Sequence, residues 1–322
     1  MSSPLVSIVV SVYNHRPYIE ECLRGILAQR VNFEYEVLVG DDCSPDGTAD
    51  LLRELRPQFP DNFSFILHEK NLGAVKNGED LYARARGTYL VDLEGDDFFT
   101  YEGKLQAQVD YLQAHPECSA TYTHCVVVGE DSRPNGERYP DCPTQTYTFK
   151  DHFYCRLPGQ SGTLVCRREQ YLAARTAFME MREFDYYPGD RRNAFLFLCA
   201  GTVHVFCEPW SAYRHVKKEG STSYSSTVRF DDAYAQNEVG YGRTLVAYAQ
   251  RYGSEEALLY ARRTYYRLML KWGADRRSSL RLGDALRQLL HEPSDRPALL
   301  FSQLRWRLVL GLRVLRGMPV DL

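Results

Sequence analysis

The first hundred residues alternate short apolar runs with amphipathic stretches. Residues 5–12 (LVSIVVSV) are apolar almost throughout, the pattern of a strand covered on both faces. Beyond them Ile19, Cys22, Leu23 and Ile26 recur at helical spacing. Residues 35–39 predict a second strand, and a helix after it places Ala49, Leu52 and Leu55 on one side. A third strand over 63–67, a helix over about 75–86 and a fourth strand over 88–93 complete the series. Strand and helix alternating four times predict an α/β fold built on a mostly parallel sheet covered by helices.

Such sheets bind ligands beyond the carboxyl ends of their strands, so the residues that end each strand matter. Strand one ends in Tyr13-Asn14, strand two in Asp41-Asp42, and strand four in Glu94-Gly95-Asp96-Asp97. The middle third, 119–227, mixes short strands (120–128, 163–166, 203–207) with loops rich in Pro, Gly and Asp. From 228 onward the pattern turns helical. Tyr234, Tyr241 and Tyr248 recur every seven residues, and Gly253-Ser254 marks a turn into a helix carrying Leu258, Tyr265 and Leu268. Heptad aromatics predict the packed seam of a helical hairpin; a tyrosine-lined acceptor site is the alternative. The expected division is 1–118, 119–227 and 228–322.

Charge sharpens this picture. The 322 residues carry a formal net charge of −3, which excludes a uniformly basic nucleic-acid binder. The total hides an asymmetry: residues 1–261 hold 26 basic and 37 acidic side chains, residues 262–316 hold 13 and 4. Within 298–318, Arg305, Arg307, Arg313 and Arg316 are interspersed with Leu, Val and Trp306. A basic, apolar helix of this kind suits an anionic membrane surface, with packing on the domain or on a second copy as the competing reading. The C-terminal helices are also where a homo-oligomer would form. No run reaches the length of about 18 apolar residues that a spanning helix needs, and the first residues lack the features of a signal peptide. The expectation is a cytoplasmic protein, peripheral on the inner face of the membrane if the tail binds lipid. Nine cysteines with no C-x-x-C pair predict scattered reduced thiols.

Three carboxylates within Glu94-Gly95-Asp96-Asp97 would repel in a shared cleft unless a hard divalent cation, Mg²⁺ or Mn²⁺, relieved them. The remaining coordination sites of such an ion suit phosphate oxygens. Gly73 in Asn71-Leu72-Gly73 permits close backbone approach, and Lys76 offers a counter-charge to phosphate. Tyr13 could stack on a base and Asp42 could accept from a base N–H. The set describes a nucleoside diphosphate site.

The segments SIVVSVYNHRPYIEECLRGILAQ, VLVGDDCSPDGTADLL, NLGAVKNG, ARGTYLVDLEGDDFF and KLQAQVDYL resemble the family 2 glycosyltransferases of the GT-A fold, over about 4–115. A looser likeness continues through PGDRRNAFLFLCAGTVHVFCEPWSAYRHV, near 188–216. The resemblance implies a GT-A Rossmann-like sheet with a C-terminal helical region. Residues 1–118 would form its nucleotide-sugar half, 119–227 its acceptor half with the catalytic base, and 228–322 the helical region. It implies an inverting, metal-dependent transfer from a nucleotide diphosphate sugar, a UDP-sugar first, to a hydroxyl of a glycan or lipid-linked oligosaccharide, in cell-surface polysaccharide synthesis.

The resemblance also implies roles. Tyr13 and Asn14 would lie by the nucleotide, Asp42 at the base and Lys76 near the diphosphate. Glu94 and Asp96 match the D-x-D element, with Asp96 the direct ligand of Mn²⁺ or Mg²⁺ and Asp97 supporting. Asp190 aligns with the catalytic base. From the residues alone, Asp185, five positions earlier, is a rival base, and Arg214 and His215, after a short strand, could line the diphosphate or metal pocket. Two departures stand out: Ser11 replaces a common proline, and Glu94 replaces the first Asp of D-x-D.

Other classes fail on particular atoms. Asp46-Gly47-Thr48 follows a strand, but a haloacid-dehalogenase-like phosphatase needs an Asp where Ser44 stands. There is no G-x-G-x-x-G after strand one and no phosphate-binding Gly-Lys-Ser/Thr. The Gly-rich activation loop of a sugar nucleotidyltransferase is absent too. The non-enzyme reading is a degenerate transferase that binds a glycan or serves as a scaffold.

Overall fold

The computed structural model describes residues 3–186, 188–216, 229–291 and 301. The elements run in this order: β1 (Val6–Val12), α1 (Ile19–Leu27), β2 (Tyr35–Asp41), α2 (Thr48–Leu55), β3 (Phe63–Leu67), α3 (Ala74–Arg84), β4 (Tyr89–Glu94), β5 (Phe98–Phe99), α4 (Lys104–Ala114), β6 (Cys118–Val128), β7 (Thr146–Tyr147), α5 (Phe149–Phe153), β8 (Val165–Arg167), α6 (Arg168–Glu180), α7 (Gly189–Ala200), β9 (Thr202–Arg214), α8 (Asp232–Tyr252), α9 (Glu255–Gly273) and α10 (Leu282–His291).

The chain divides into two compact units. Within the described residues the first comprises 3–147, 157–172 and 201–216, and the second 148–156, 173–186, 188–200, 229–291 and 301.

The first unit holds a nine-stranded sheet in the order β3-β2-β1-β4-β8-β6-β9-β5, with β7 paired to β9. β3, β2, β1 and β4 run parallel, as the alternating pattern requires. β8 pairs antiparallel with both β4 and β6, so the sheet changes direction there. β6 and β9 are parallel, with register shifts near Thr123 and His124. The parallel strands are apolar because both faces are covered: Val6, Ile8, Val9 and Val10 have no exposed surface, and Val6, Ile8 and Val10 share a core with Ile19, Leu23, Ile26, Leu52 and Phe63. β9 runs thirteen residues, far beyond the expected 203–207. Its outer half alternates exposed Glu208 and Pro209 with buried Ser211, Ala212 and Arg214, so no apolar run announces it.

The second unit is helical. α8 and α9 pack against each other, and their shared core takes Tyr241, Leu245, Tyr248, Ala257, Tyr260 and Trp272. Tyr241 and Tyr248 of the heptad series are 1% and 4% exposed, ringed by Phe178, Phe184 and Phe195. All nine cysteines are free thiols. Among the described residues no helix is long and apolar enough to cross a membrane. Apart from Phe301, the segment 298–318 lies outside the described residues.

Candidate functional site

The carboxyl ends of β1, β2 and β4 stand side by side because the three strands are parallel neighbours: Ser11 is in register with Gly40 on one side and Glu94 on the other. Backbone bonds continue past the strands, from Asp42 N–H to Val12 O at 2.9 Å and from Gly95 N–H to Ser11 O at 2.9 Å. The sheet therefore delivers Tyr13-Asn14, Asp41-Asp42 and Glu94-Gly95-Asp96-Asp97 to one edge. Two residues just past the strands, Asn14 (φ 61) and Cys43 (φ 57), adopt the left-handed conformation. Non-glycine residues pay for that geometry, and it concentrates at functional sites.

Each carboxylate on this edge is treated differently. Both oxygens of Asp42 accept backbone N–H groups, Leu72 at 2.6 Å and Gly73 at 2.9 Å. Asp42 thus fastens the Asn71-Leu72-Gly73 loop to the strand end, and Gly73, at φ 86, supplies a turn that an L side chain resists. Gly73 immediately precedes α3, and Lys76 is exposed in its first turn. Asp41 accepts from the Ser44 hydroxyl and amide, and Ser44 accepts from Asn14 N–H at 2.9 Å.

Asp97 is 2% exposed. It accepts from Arg214 N–H at 2.8 Å and Gln160 Nε2 at 2.9 Å. Burial, then the charges of Asp96 and Glu94, push its pKa well above the ordinary carboxylate value despite those two donors. Glu94 is exposed. Asp96, between them, keeps its Oδ1 buried without a hydrogen-bond partner, as do Asn14 Oδ1 and His15 Nδ1.

Arg214 differs from the expectation that it lines a diphosphate pocket. It is 4% exposed, and its guanidinium donates to Asp96 O (2.9 Å), Gly129 O (2.6 Å), Glu130 O (3.3 Å), Glu21 Oε2 (2.8 Å) and Ser132 Oγ (3.0 Å). Those bonds use all five donors of the side chain, so none is left for a phosphate. Arg214 instead pins the acidic turn, with its Cζ 4.2 Å from the Tyr18 ring centre. His215 pairs with Glu137.

Whether these residues suit a divalent cation can be judged from the donors. Among the described residues no group of three or more His, Cys, Asp or Glu side chains is gathered as for an ion. A protein that supplies one or two carboxylates and leaves the other positions to phosphate and water has no such group. The unpartnered oxygen of Asp96 fits that arrangement, since a buried acceptor left unpaired is costly.

Asp190 belongs to the second unit, as the second residue of α7, where an acidic group faces the positive end of the helix dipole. Arg191 beside it bonds Glu238 Oε1 at 2.5 Å and the Tyr186 hydroxyl at 2.8 Å, and Tyr186 donates to Glu238 at 2.6 Å. Burial alone would raise the Glu238 carboxyl, yet Arg191 and Tyr186 outweigh it and hold it below its usual value. Asp185, the rival base, takes an Asn237 side-chain oxygen on its backbone N–H.

Three residues of the edge escape a reading of the sequence: His15, Gln160 and the true role of Arg214. Only His15 carried a usable signal, its place directly after Tyr13-Asn14.

Known proteins match this architecture. The model of the family described as glycosyl transferase family 2 matches residues 7–173. An uncharacterized Mycobacterium tuberculosis protein is 37% identical over 164 residues, 51% of this chain and 47% of its own length. Bacillus subtilis TuaG, by name a teichuronic acid biosynthesis glycosyltransferase, is 30% identical over 131 residues, 41% of this chain and 50% of its own. The chain spans about half the length of these curated relatives. A structure of S. aureus TarS 1–349 with UDP-GlcNAc superposes with a TM-score of 0.64 at 16% identity, covering 98% of this chain and 93% of that one, a likeness of fold. The family match spans the β1, β2 and β4 ends and the acidic turn, and the chain belongs to glycosyl transferase family 2, with the GT-A fold.

Proposed function

We propose that this protein transfers a sugar, with inversion, from a UDP-sugar to a hydroxyl of a glycan or lipid-linked oligosaccharide, with Mn²⁺ or Mg²⁺ bound at Asp96. The observation that carries this reading is the parallel-strand edge with its pinned acidic turn and the unpartnered Asp96 oxygen. The uracil preference is supported by the UDP-GlcNAc in the TarS structure, and the polysaccharide context by the name of TuaG.

Tyr13 and Asn14 take the nucleotide, with Asp42 at the base edge through the loop that it fastens. Glu94 and Asp96 form the acidic pair at the diphosphate, and Asp97 supports them from within the fold. Asp96, with Glu94 and Asp97 beside it, would hold a divalent cation, which would supply positive charge to offset that collecting on the leaving diphosphate. Lys76, beyond Gly73, adds a positive charge on the same side. Asp190 accepts the proton of the acceptor hydroxyl as its oxygen bonds to the anomeric carbon. The carbon–oxygen bond to the diphosphate breaks with its electron pair on the diphosphate, and the single displacement inverts the centre. The domain reading follows: residues 1–118 serve the donor, 119–227 the acceptor and base, and 228–322 the helical region.

The basic segment 298–318 would meet an anionic membrane from the cytoplasmic side. Support comes from α10, where Leu282, Leu286 and Leu290 are 37%, 43% and 55% exposed at one-turn spacing. Anionic liposomes should pellet the full chain and leave a chain ending at residue 297 in solution. Equal pelleting removes the membrane role, and self-association of the full chain alone assigns the segment to an oligomer.

A thermal-shift panel of UDP-, dTDP- and GDP-sugars, with and without Mn²⁺, tests the donor. The expected result is Mn²⁺-dependent stabilisation by UDP-sugars; stabilisation by none overturns the reading.

A further inference from the structure

His15 has no part in the reaction described above, yet the fold goes to some length to place it. Asn14, in its left-handed conformation, turns the chain directly before it. Its ring lies against Gly95, where a Cβ would come within 3.0 Å of His15 Nδ1. A side chain at this position of the acidic turn would crowd the imidazole together with Ile19 and Val12, each also 3.0 Å from that Cβ. On the other side of the ring, His15 Nε2 stands 3.7 Å from Asp96 Oδ2.

That separation is too long for a hydrogen bond. It falls within the range for two donors on one ion: atoms each about 2.1 Å from a metal stand about 3.0 to 4.2 Å apart as the angle at the metal opens from about 90° to 180°. The two side chains are only 19% and 24% exposed. The pair that would face an ion is His15 Nε2 and Asp96 Oδ2; the second polar atom of each group, His15 Nδ1 and Asp96 Oδ1, is buried without a hydrogen-bond partner, as is Asn14 Oδ1. Of the other two carboxylates of the turn, Asp97 already accepts from Arg214 and Gln160, and Glu94 is exposed.

We propose that His15 is a ligand of the cation bound at Asp96, so that the site offers one imidazole nitrogen beside its carboxylate oxygen. The inference rests on the donor-site reading and adds a ligand to it. A nitrogen donor favours a first-row transition metal over Mg²⁺, which keeps to oxygen ligands. The site is therefore selective for Mn²⁺ over Mg²⁺ because of His15.

The test uses the full chain with UDP and Mn²⁺. The loss of the free-ion electron paramagnetic resonance signal gives the affinity, and electron spin-echo modulation reports directly bound ¹⁴N. In the parent protein the bound ion should show imidazole nitrogen coupling. His15→Ala and His15→Gln should lose that coupling and weaken Mn²⁺ binding at least tenfold. Mg²⁺ affinity, measured by competition, should change less than threefold, with circular dichroism confirming the fold. Bound Mn²⁺ without nitrogen coupling in the parent, or affinity within twofold in both variants, overturns the inference. Asp96→Asn separates the two levels. If it loses Mn²⁺ while His15→Ala keeps it, the His15 ligand alone is wrong. If Asp96→Asn keeps Mn²⁺, the donor-site reading fails and this inference with it.

Discussion

Arg214 in the sheet unit and Arg191 in the helical unit are both largely covered, and their partners differ in kind. Arg214 spends most of its donors on carbonyls of the Asp96 turn and of the loop at Gly129 and Glu130, with half-exposed Glu21 as counter-ion. Arg191 meets one carboxylate, Glu238, and the Tyr186 hydroxyl, in a closed set that joins α7 to α8. The first arrangement fixes backbone that carries repelling carboxylates. The second neutralises a charge inside an aromatic core, with Tyr241 against the guanidinium at 5.2 Å. Buried charge therefore shapes the strand-end edge in one unit and locks a helix start in the other.

Breaking the closed set should cost most in stability. Glu238→Ala leaves the Arg191 charge uncompensated and should lower unfolding free energy by about 3 kcal/mol, read by chemical denaturation. UDP affinity should stay within twofold, since the residues proposed to bind the nucleotide all lie in the sheet unit. Arg214→Met should cost less stability, about 2 kcal/mol. It should also weaken Mn²⁺-dependent UDP binding at least tenfold by releasing the turn. Arg214→Lys should rescue neither effect, because an ammonium cannot serve that many diverging carbonyls. If Arg214→Met left nucleotide binding intact, the contrast between the two arginines would collapse.

Lys104, at the start of α4, sharpens the account of the sheet unit. Its ammonium is fully buried, bonded to Gln108 Oε1 and Thr163 O, and 4.4 Å from the Phe99 ring centre. Burial pulls its pKa from 10.5 down to about 7. Between those values the unfolded chain holds the proton and the folded chain does not, so this lysine makes stability rise with pH across that window. Lys104→Met should flatten the rise in denaturation midpoints measured from pH 7 to 10. The smallest effect belongs to the helical unit. The Tyr241 hydroxyl is buried without a hydrogen-bond partner, so Tyr241→Phe should shift stability by less than about 1 kcal/mol, toward greater stability.

The parallel strands were legible because burial on both faces demands an unbroken apolar run, and β3 falls at 63–67 as the pattern predicts. The place of the acidic turn was legible because Glu94-Gly95-Asp96-Asp97 directly follows the apolar run of β4. Gln160 was not, since it reaches Asp97 across 63 positions and only the pairing of β8 with β4 brings it there. The reach of β9 to Arg214 was hidden for a related reason: its last residues are held by a polar network around Asp97, where hydrophobic periodicity has nothing to report. His15 lay in plain view beside Tyr13-Asn14, but its meaning depends on the space left by Gly95.

The central claim is that Asp96 anchors a metal-dependent nucleotide site on the β1, β2 and β4 edge. Calorimetric titration of UDP into the full chain, with and without Mn²⁺ and repeated with Asp96→Ala, tests it most directly. The account predicts Mn²⁺-dependent binding that falls at least a hundredfold in the variant. Equal affinity in the two proteins, or binding indifferent to Mn²⁺, would contradict it.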